Sequence, residues 1–210
     1  MKEFVQMLSP DKLLPFEQHP FQVREDESLE ELMESIRCYG MLSPLLVRPK
    51  GEGYELVSGH RRRLAAQKLG LETVPVLVRE MSDDEAVILM VDSNLQREHL
   101  LPSEKAFAYK MKLDALNRQG QRTDLTSTQN VSKLRTSEMV GQETGDSRET
   151  VRRYIRLTRL IPEILQMVDE GKIAFTPAVH LSSLVPVEQA WVLEEMGRND
   201  CTPSVGQAYH

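Results

Sequence analysis

Val57-Ser58-Gly59-His60-Arg61-Arg62-Arg63-Leu64-Ala65-Ala66 carries an apolar strand into a glycine, then into arginines, then into a helical pattern. That order of parts suits an anion. Gly59 lets the backbone turn with positive φ or approach a ligand closely, and the following helix offers unpaired N–H groups at the positive end of its dipole. Arg61, Arg62 and Arg63 would add charge-assisted hydrogen bonds to phosphate oxygens. The alternative is a solvated basic start to a surface helix, although arginines in a first turn oppose the dipole and are mildly unfavourable there without an anion.

Working outward, Leu42–Arg48 and Tyr54–Ser58 read as strands joined by a turn over Pro49–Gly53, a hairpin that feeds the arginine loop. The helix from about Arg61 buries Leu64, Ala65 and Leu69 and stops at Gly70. Val74–Val78 is a third strand, pushed toward an edge by Pro75. Upstream, the stretch to Pro20 is extended or turning. A helix follows, with Ser28 and Glu31 as its capping box, Leu29, Leu32, Met33 and Ile36 at helical spacing, and Gly40 just past its end. Downstream, Ser82 and Glu85 form a second capping box. The helix behind them turns Ala86, Val87, Leu89 and Met90 inward and runs into Asp92–Glu98, where Asn94 and Arg97 would share one helical face. The alternation of strand and helix defines an α/β unit over residues 1–100.

Residues 101–210 read as all-helical. A helix from Pro102 to Gly120 would bury Ala106, Phe107, Met111, Leu113 and Leu116, and a polar loop spans Thr123–Ser132. From about 136 to 160 the spacing is that of a helix-turn-helix: a short helix with Met139 and Val140 ends at Gly145, Ser147 caps the next, and Val151, Ile155 and Leu157 form its apolar stripe. Arg148, Arg152, Arg153, Arg156 and Arg159 recur at three- and four-residue intervals. Such a helix can enter a major groove, with Ser147, Arg148 and Thr150 near base edges and Arg152, Arg153 and Arg156 near phosphates. The alternative pairs these arginines with Glu143, Asp146 and Glu149. Helical segments after Pro162, including Trp191 and Leu193, would brace the motif. Ser204 and Gln207 resemble the cap of one more helix too short to stand alone, so the chain reads as truncated.

With 210 residues, 40% hydrophobic and 28% charged, the chain reads as a soluble globular protein. Its net charge of −6 argues against indiscriminate nucleic-acid binding, yet arginine is concentrated in the two stretches above. No apolar run suits a membrane helix and no signal peptide is visible, so a cytoplasmic location and no membrane partner are expected. Cys38 and Cys201 lack metal-ligand spacing and read as buried or inert thiols.

From about Leu13 to Leu184 the chain resembles the ParB/RepB family of partition and nucleoid-occlusion proteins. His19-Pro20-Phe21-Gln22-Val23-Arg24 resembles the family's Asn-Pro-x-Gln-x-Arg, and Gly40-Met41-Leu42-Ser43-Pro44 its Gly-Ile-x-x-Pro. Ser58-Gly59-His60-Arg61-Arg62 stands at Gly-Glu-Arg-Arg, and Ser93-Asn94-Leu95-Gln96-Arg97-Glu98 at Glu-Asn-x-Gln-Arg-Glu. The resemblance implies an α+β protein: a small mixed α/β, sulfiredoxin-like domain followed by an all-α helix-turn-helix domain, with the family's C-terminal dimerisation domain missing. It also implies a pocket for cytidine triphosphate (CTP) and Mg2+. There Gln22 and Arg24 lie near base and phosphates, Gly40, Ser43 and Pro44 shape the pocket, Gly59, His60, Arg61 and Arg62 hold the triphosphate, Ser93 and Asn94 stand at the metal end, with Asn94 placing the metal, and Arg97 contacts phosphate. Implied partners are a palindromic centromere-like DNA site, a second copy closing a homodimeric clamp, and a ParA-type ATPase. The protein would then be nucleoid- or plasmid-associated.

Two departures bear on chemistry. His60 and Ser93 replace family glutamates, which leaves CTP binding in place but makes hydrolysis, at most a weak CTPase activity, doubtful. Two other readings stay open. One is a helix-turn-helix regulator with a non-functional pocket. The other is a phosphoryl-transfer enzyme of the sulfiredoxin-like fold, weakened by the lack of a cysteine near the phosphate loop.

Overall fold

The computed structural model describes residues 3–97, 99–123, 140, 145–199 and 201–202. Glu98, Met139, Glu143, the Thr123–Ser132 loop beyond its first residue, and the Ser204–Gln207 pair lie outside them. The chain forms two compact units, Met1–Asn94 and Leu95–His210. Among the described residues no helix is long and apolar enough to cross a membrane.

The first unit runs β1 (Glu3–Leu8), a 3-10 turn (Pro10–Lys12), β2 (Leu13–Leu14), α1 (Glu27–Tyr39), β3 (Leu45–Lys50), β4 (Gly53–Ser58), α2 (His60–Lys68), β5 (Val74–Arg79) and α3 (Asp83–Leu95). The strands form one mixed sheet in the order β1-β5-β3-β4-β2. Leu45, Val47, Leu56, Val74, Val76 and Val78 build its apolar core with Leu13 and Ala66, while Leu29 and Ile36 of α1 pack with Ala65 of α2. Arg48 and Glu55 face each other across β3 and β4 and are both buried, joined at 2.6 and 2.7 Å. Arg48 also reaches Asp83 at the start of α3, so the buried charge is well compensated.

Several sequence expectations are corrected. β5 is an inner strand, because residues 3–8, read as extended or turning, form β1 and pair along it. Pro75 is tolerated there because the ladder to β3 begins only at Val76, so its missing N–H costs no bond on that side. The N-cap of α1 is Asp26, whose carboxylate accepts from the Leu29 N–H at 3.1 Å, so the helix starts before the Ser28–Glu31 pair. α3 ends at Leu95, and Arg97 lies beyond it, so Asn94 and Arg97 do not share a helical face. Both cysteines are exposed. The Glu34 carboxylate accepting from the Cys38 thiol raises that thiol's pKa, which keeps it protonated and poorly reactive. The Ser82–Glu85 box and the Gly40 stop form as expected.

The second unit contains α4 (Pro102–Thr123), α5 (Arg148–Leu157), α6 (Pro162–Asp169), α7 (Phe175–Leu181) and α8 (Pro186–Asn199). α4 buries Ala106 and packs Leu116 against the Tyr109–Val151 cluster as expected, with Met111 and Leu113 half-buried; Ala108, Tyr109, Lys112 and Ala115 are also turned inward, and Phe107, expected inside, is exposed. Gln189 is fully buried and fully used: its carbonyl accepts from Ile161 N–H, and its amide donates to the Arg159 and Leu184 carbonyls. It ties α8 to both ends of the segment that it braces. Trp191 is exposed.

Candidate nucleotide pocket and DNA-reading helix

In the first unit the phosphate-like turn forms from local causes. Gly59 is the N-cap of α2 at φ 104°, with no side chain capping the helix. A Cβ on Gly59 would stand 2.6 Å from Leu45 Cδ2, so both conformation and space require glycine. The helix therefore begins without a side-chain acceptor for its first amides.

The arginines that follow leave the helix in different directions. Arg62 donates to the carbonyls of Ser43 and Pro44 at 2.7 and 3.0 Å, and burial lowers its pKa from the ordinary value. Arg61 donates to Asp26 at 2.8 Å and to Ser28 at 3.1 Å. Arg63 donates to the Pro10 carbonyl at 3.0 Å and so anchors the 3-10 turn. The first turn of α2 is thus tied through Arg62 to Ser43 and Pro44 and through Arg61 to Asp26 and Ser28, which makes this end of the helix one corner of the unit. Gly40, at φ 71°, ends α1 on the way into it.

Asp26 and Ser28 are the members of this corner that the sequence reading missed as site residues. The signal was an aspartate directly before a helical pattern, overlooked because Ser28–Glu31 offered a competing cap. The Arg61 hydrogen bond, more than any other influence, holds the Asp26 carboxyl below its usual range. An incoming anion therefore competes with Asp26 for Arg61. Asp26→Asn keeps a good N-cap but removes the competing charge, so triphosphate affinity measured by calorimetry should rise severalfold with helix content unchanged.

The other expected nucleotide residues are placed as follows. Gln22 and Arg24 are exposed on the segment leading to α1, alternating with buried Phe21 and half-buried Val23. His60 stacks on His19 with ring centroids 3.9 Å apart, and His19 Nδ1 is hydrogen-bonded to the Phe21 carbonyl at 2.8 Å. His60 and Leu64 line an apolar recess of about 360 Å³ with Phe16 and Phe21. Ser93 is exposed and its hydroxyl donates to the Met90 carbonyl. Asn94 is buried, its amide donating to the same carbonyl at 2.7 Å and to Ser93 Oγ at 3.2 Å.

In the second unit Ser147 is the N-cap of α5, accepting from the Thr150 N–H at 3.1 Å and hydrogen-bonded to its hydroxyl at 2.8 Å. Val151 and Leu157 are buried, and Val151 packs with Tyr109 and Val140. Arg148 is half-buried in the first turn. Arg152 and Arg156 are exposed and make no ion pair or side-chain hydrogen bond among the described residues. Arg153 is turned inward, donating to Thr176 at 2.8 Å with its guanidinium 5.0 Å from the Phe175 ring. It pins α5 to α7.

Asp146, just before the cap, does not pair with the arginines. It is bound by Lys105 at 2.7 Å and by the Tyr109 hydroxyl, both from α4. Burial raises its pKa, but these hydrogen bonds and the Lys105 charge outweigh it, and the net shift is downward. A carboxylate with a depressed folded-state pKa contributes stability above its unfolded pKa and loses it as pH falls through the folded value. The melting temperature of wild type should therefore fall more steeply than that of Asp146→Asn as pH drops below the ordinary carboxylate range. Parallel curves would remove Asp146 from the anchoring of α5.

Sequence models of the ParB N-terminal domain and the ParB HTH domain match residues 1–95 and 125–204. The chain belongs to the ParB family. It is 37% identical over 193 residues to the probable chromosome 1-partitioning protein ParB of Deinococcus radiodurans, a match covering 91% of this chain and 60% of that protein. It is 42% identical over 171 residues to the chromosome-partitioning protein Spo0J of Thermus thermophilus, covering 81% and 57%. The chain thus spans 60% or less of the length of these ParB relatives. Among solved structures it is similar to the C-terminally truncated ParB of Caulobacter crescentus complexed to the centromeric parS site. There the identity is 26% and the TM-score 0.54, covering 97% of this chain and 96% of that one. The ParB N-terminal match ends within α3, and the ParB HTH match takes in α5 to α8.

Proposed function

We propose that this chain is a nucleotide-gated, site-specific DNA-binding protein of a partition system, with CTP and Mg2+ bound in its first unit and a palindromic DNA site read by α5. One observation carries the reading: the first turn of α2 has no side-chain cap, its glycine admits no side chain, and its Arg62 is tied to Ser43 and Pro44 of the expected pocket. The parS complex of the Caulobacter relative supports the DNA half.

Mg2+ fits as a guest of the nucleotide rather than of a protein cage. Among the described residues no cluster of three or more His, Cys, Asp or Glu could hold a metal. Mg2+ characteristically keeps waters and binds through substrate phosphates with few protein ligands, here Asn94 Oδ1. When bound it would neutralise phosphate charge. The chain's own part is to present the α2 amides, Arg61 and Arg62 to the phosphates and to hold Ser43 and Pro44 in place. The family's homodimeric clamp, ParA-type partner and nucleoid or plasmid association are part of the same proposal.

The test is calorimetry with each of the four ribonucleoside triphosphates, with and without Mg2+. Mg2+-dependent binding of CTP alone supports the proposal. Binding of none supports a plain helix-turn-helix regulator, the reading favoured by the burial of Asn94.

Turnover should be slow. A hydroxyl is no base near neutral pH, and that of Ser93 is already held by Met90 and Asn94. Ser93→Glu should raise phosphate release in the presence of CTP, Mg2+ and DNA. Fast wild-type turnover, unaffected at Ser93 and abolished by Asp92→Asn, would show that the neighbouring carboxylate does this work.

A further inference from the structure

Between Leu14 and Glu27 the chain forms neither helix nor strand, so no backbone ladder fixes the segment that carries Gln22 and Arg24. Side chains take that part. His19, Phe21 and Val23 turn into the recess on α2, against a face made of His60, Arg63, Leu64 and Gln67, while the alternate residues Gln22 and Arg24 are exposed. The His19 ring is set by two contacts. Its Nδ1 donates to the Phe21 carbonyl at 2.8 Å, and its centroid lies 3.9 Å from that of His60, with the planes 41° apart. His60 is the first residue of α2, so the stack joins the segment to the turn expected to hold phosphate.

We infer that His19 and His60 are a pair of positioning residues, whose neutral rings latch the segment of residues 19–24 to the first turn of α2 and whose protonation releases it. The consequence for nucleotide rests on the function proposed above; the latch itself is a property of the free chain. Two neutral rings at this separation attract, whereas two imidazolium cations repel. Nε2 of each ring is buried, so a proton added there brings charge out of water. At the start of α2 the positive end of the helix dipole opposes a further cation. The charged groups around the pair add to this. Arg63 lines the same recess, and the nearby carboxylates are engaged elsewhere: Asp11 of the 3-10 turn accepts from Gln67 and acts on Arg63, Asp26 of α1 holds Arg61, and Glu17 lies 3.8 Å from Lys50. As pH falls through the ordinary histidine range, about 6.5, the latch should therefore open and Gln22 and Arg24 lose their fixed presentation.

The experiment compares wild type with His60→Phe, which keeps a ring against His19 but cannot take a proton, and with His19→Phe as a second variant of the same kind. In the free protein, imidazole NMR signals followed from pH 8 to pH 5 should show His19 and His60 titrating as a coupled pair, and either substitution should leave the remaining histidine with one simple transition. Amide hydrogen-exchange protection of residues 22–24, corrected for the intrinsic effect of pH, should fall severalfold over that range in wild type and hold in His60→Phe. Independent titrations, or an equal loss of protection in His60→Phe, would overturn the inference. Calorimetry with CTP and Mg2+ reads the consequence: acidification should weaken binding severalfold more in wild type than in His60→Phe, the nucleotide's own protonation being common to both. Tighter binding in acid that depends on His60 would make its cation a phosphate contact and overturn the positioning role. A wild type that binds no nucleotide at pH 8 would refute the proposed function, and the titration and exchange measurements would still decide the latch.

Discussion

Arg61→Ala is expected to lose at least tenfold in affinity for CTP while its melting temperature without nucleotide holds at the wild-type value. A charge-assisted hydrogen bond to phosphate contributes roughly 1.5 to 3 kcal/mol, and about 1.4 kcal/mol is a factor of ten in binding. The partner that the substitution abandons, Asp26, is solvated and still caps α1, so little folding free energy goes with it. Arg62→Ala should behave differently. It strips two carbonyls at the start of β3 of their donor, so it should lower apo stability as well as affinity. Calorimetry and thermal melts on both variants read these effects apart. Wild-type affinity in folded Arg61→Ala would remove Arg61 from the phosphate site.

For DNA, the exposed pair Arg152 and Arg156 should carry most of the electrostatic attraction. Their joint replacement by alanine should weaken binding to every sequence alike. It should also reduce the slope of log affinity against log salt by about 0.9 for each phosphate that is no longer neutralised. Arg148→Ala, in the first turn, should instead relax sequence preference at a cost of about 1 to 3 kcal/mol on the selected site. Arg153 separates the structural expectation from the sequence one. Spacing along the helix assigns it to phosphate, but its guanidinium lies against Phe175 and Thr176, so Arg153→Ala should lower the melting temperature first. A salt slope unchanged in the double variant would place the DNA surface elsewhere.

What was legible in the sequence was local. The Ser82–Glu85 box, the Gly40 stop, the β3–β4 hairpin, the Gly59 turn and the Ser147 cap each depend on backbone conformation and hydrogen bonds within a few residues, so residue type and spacing suffice to specify them. The family motifs were legible for the same reason. What only the tertiary structure decided was which distant groups meet. β1 joins β5 across some seventy residues of chain and converts an expected edge strand into an inner one. Asp26 takes both the α1 cap and Arg61, 35 residues away, and thereby displaces the Ser28 cap that local pattern favoured. Asp146 finds Lys105 and Tyr109 on α4 rather than the neighbouring arginines. The physical reason is common to all three. A carboxylate or an edge strand accepts any suitably placed partner, so proximity in space selects among many equivalent ones, and proximity is set by the packing of the whole unit.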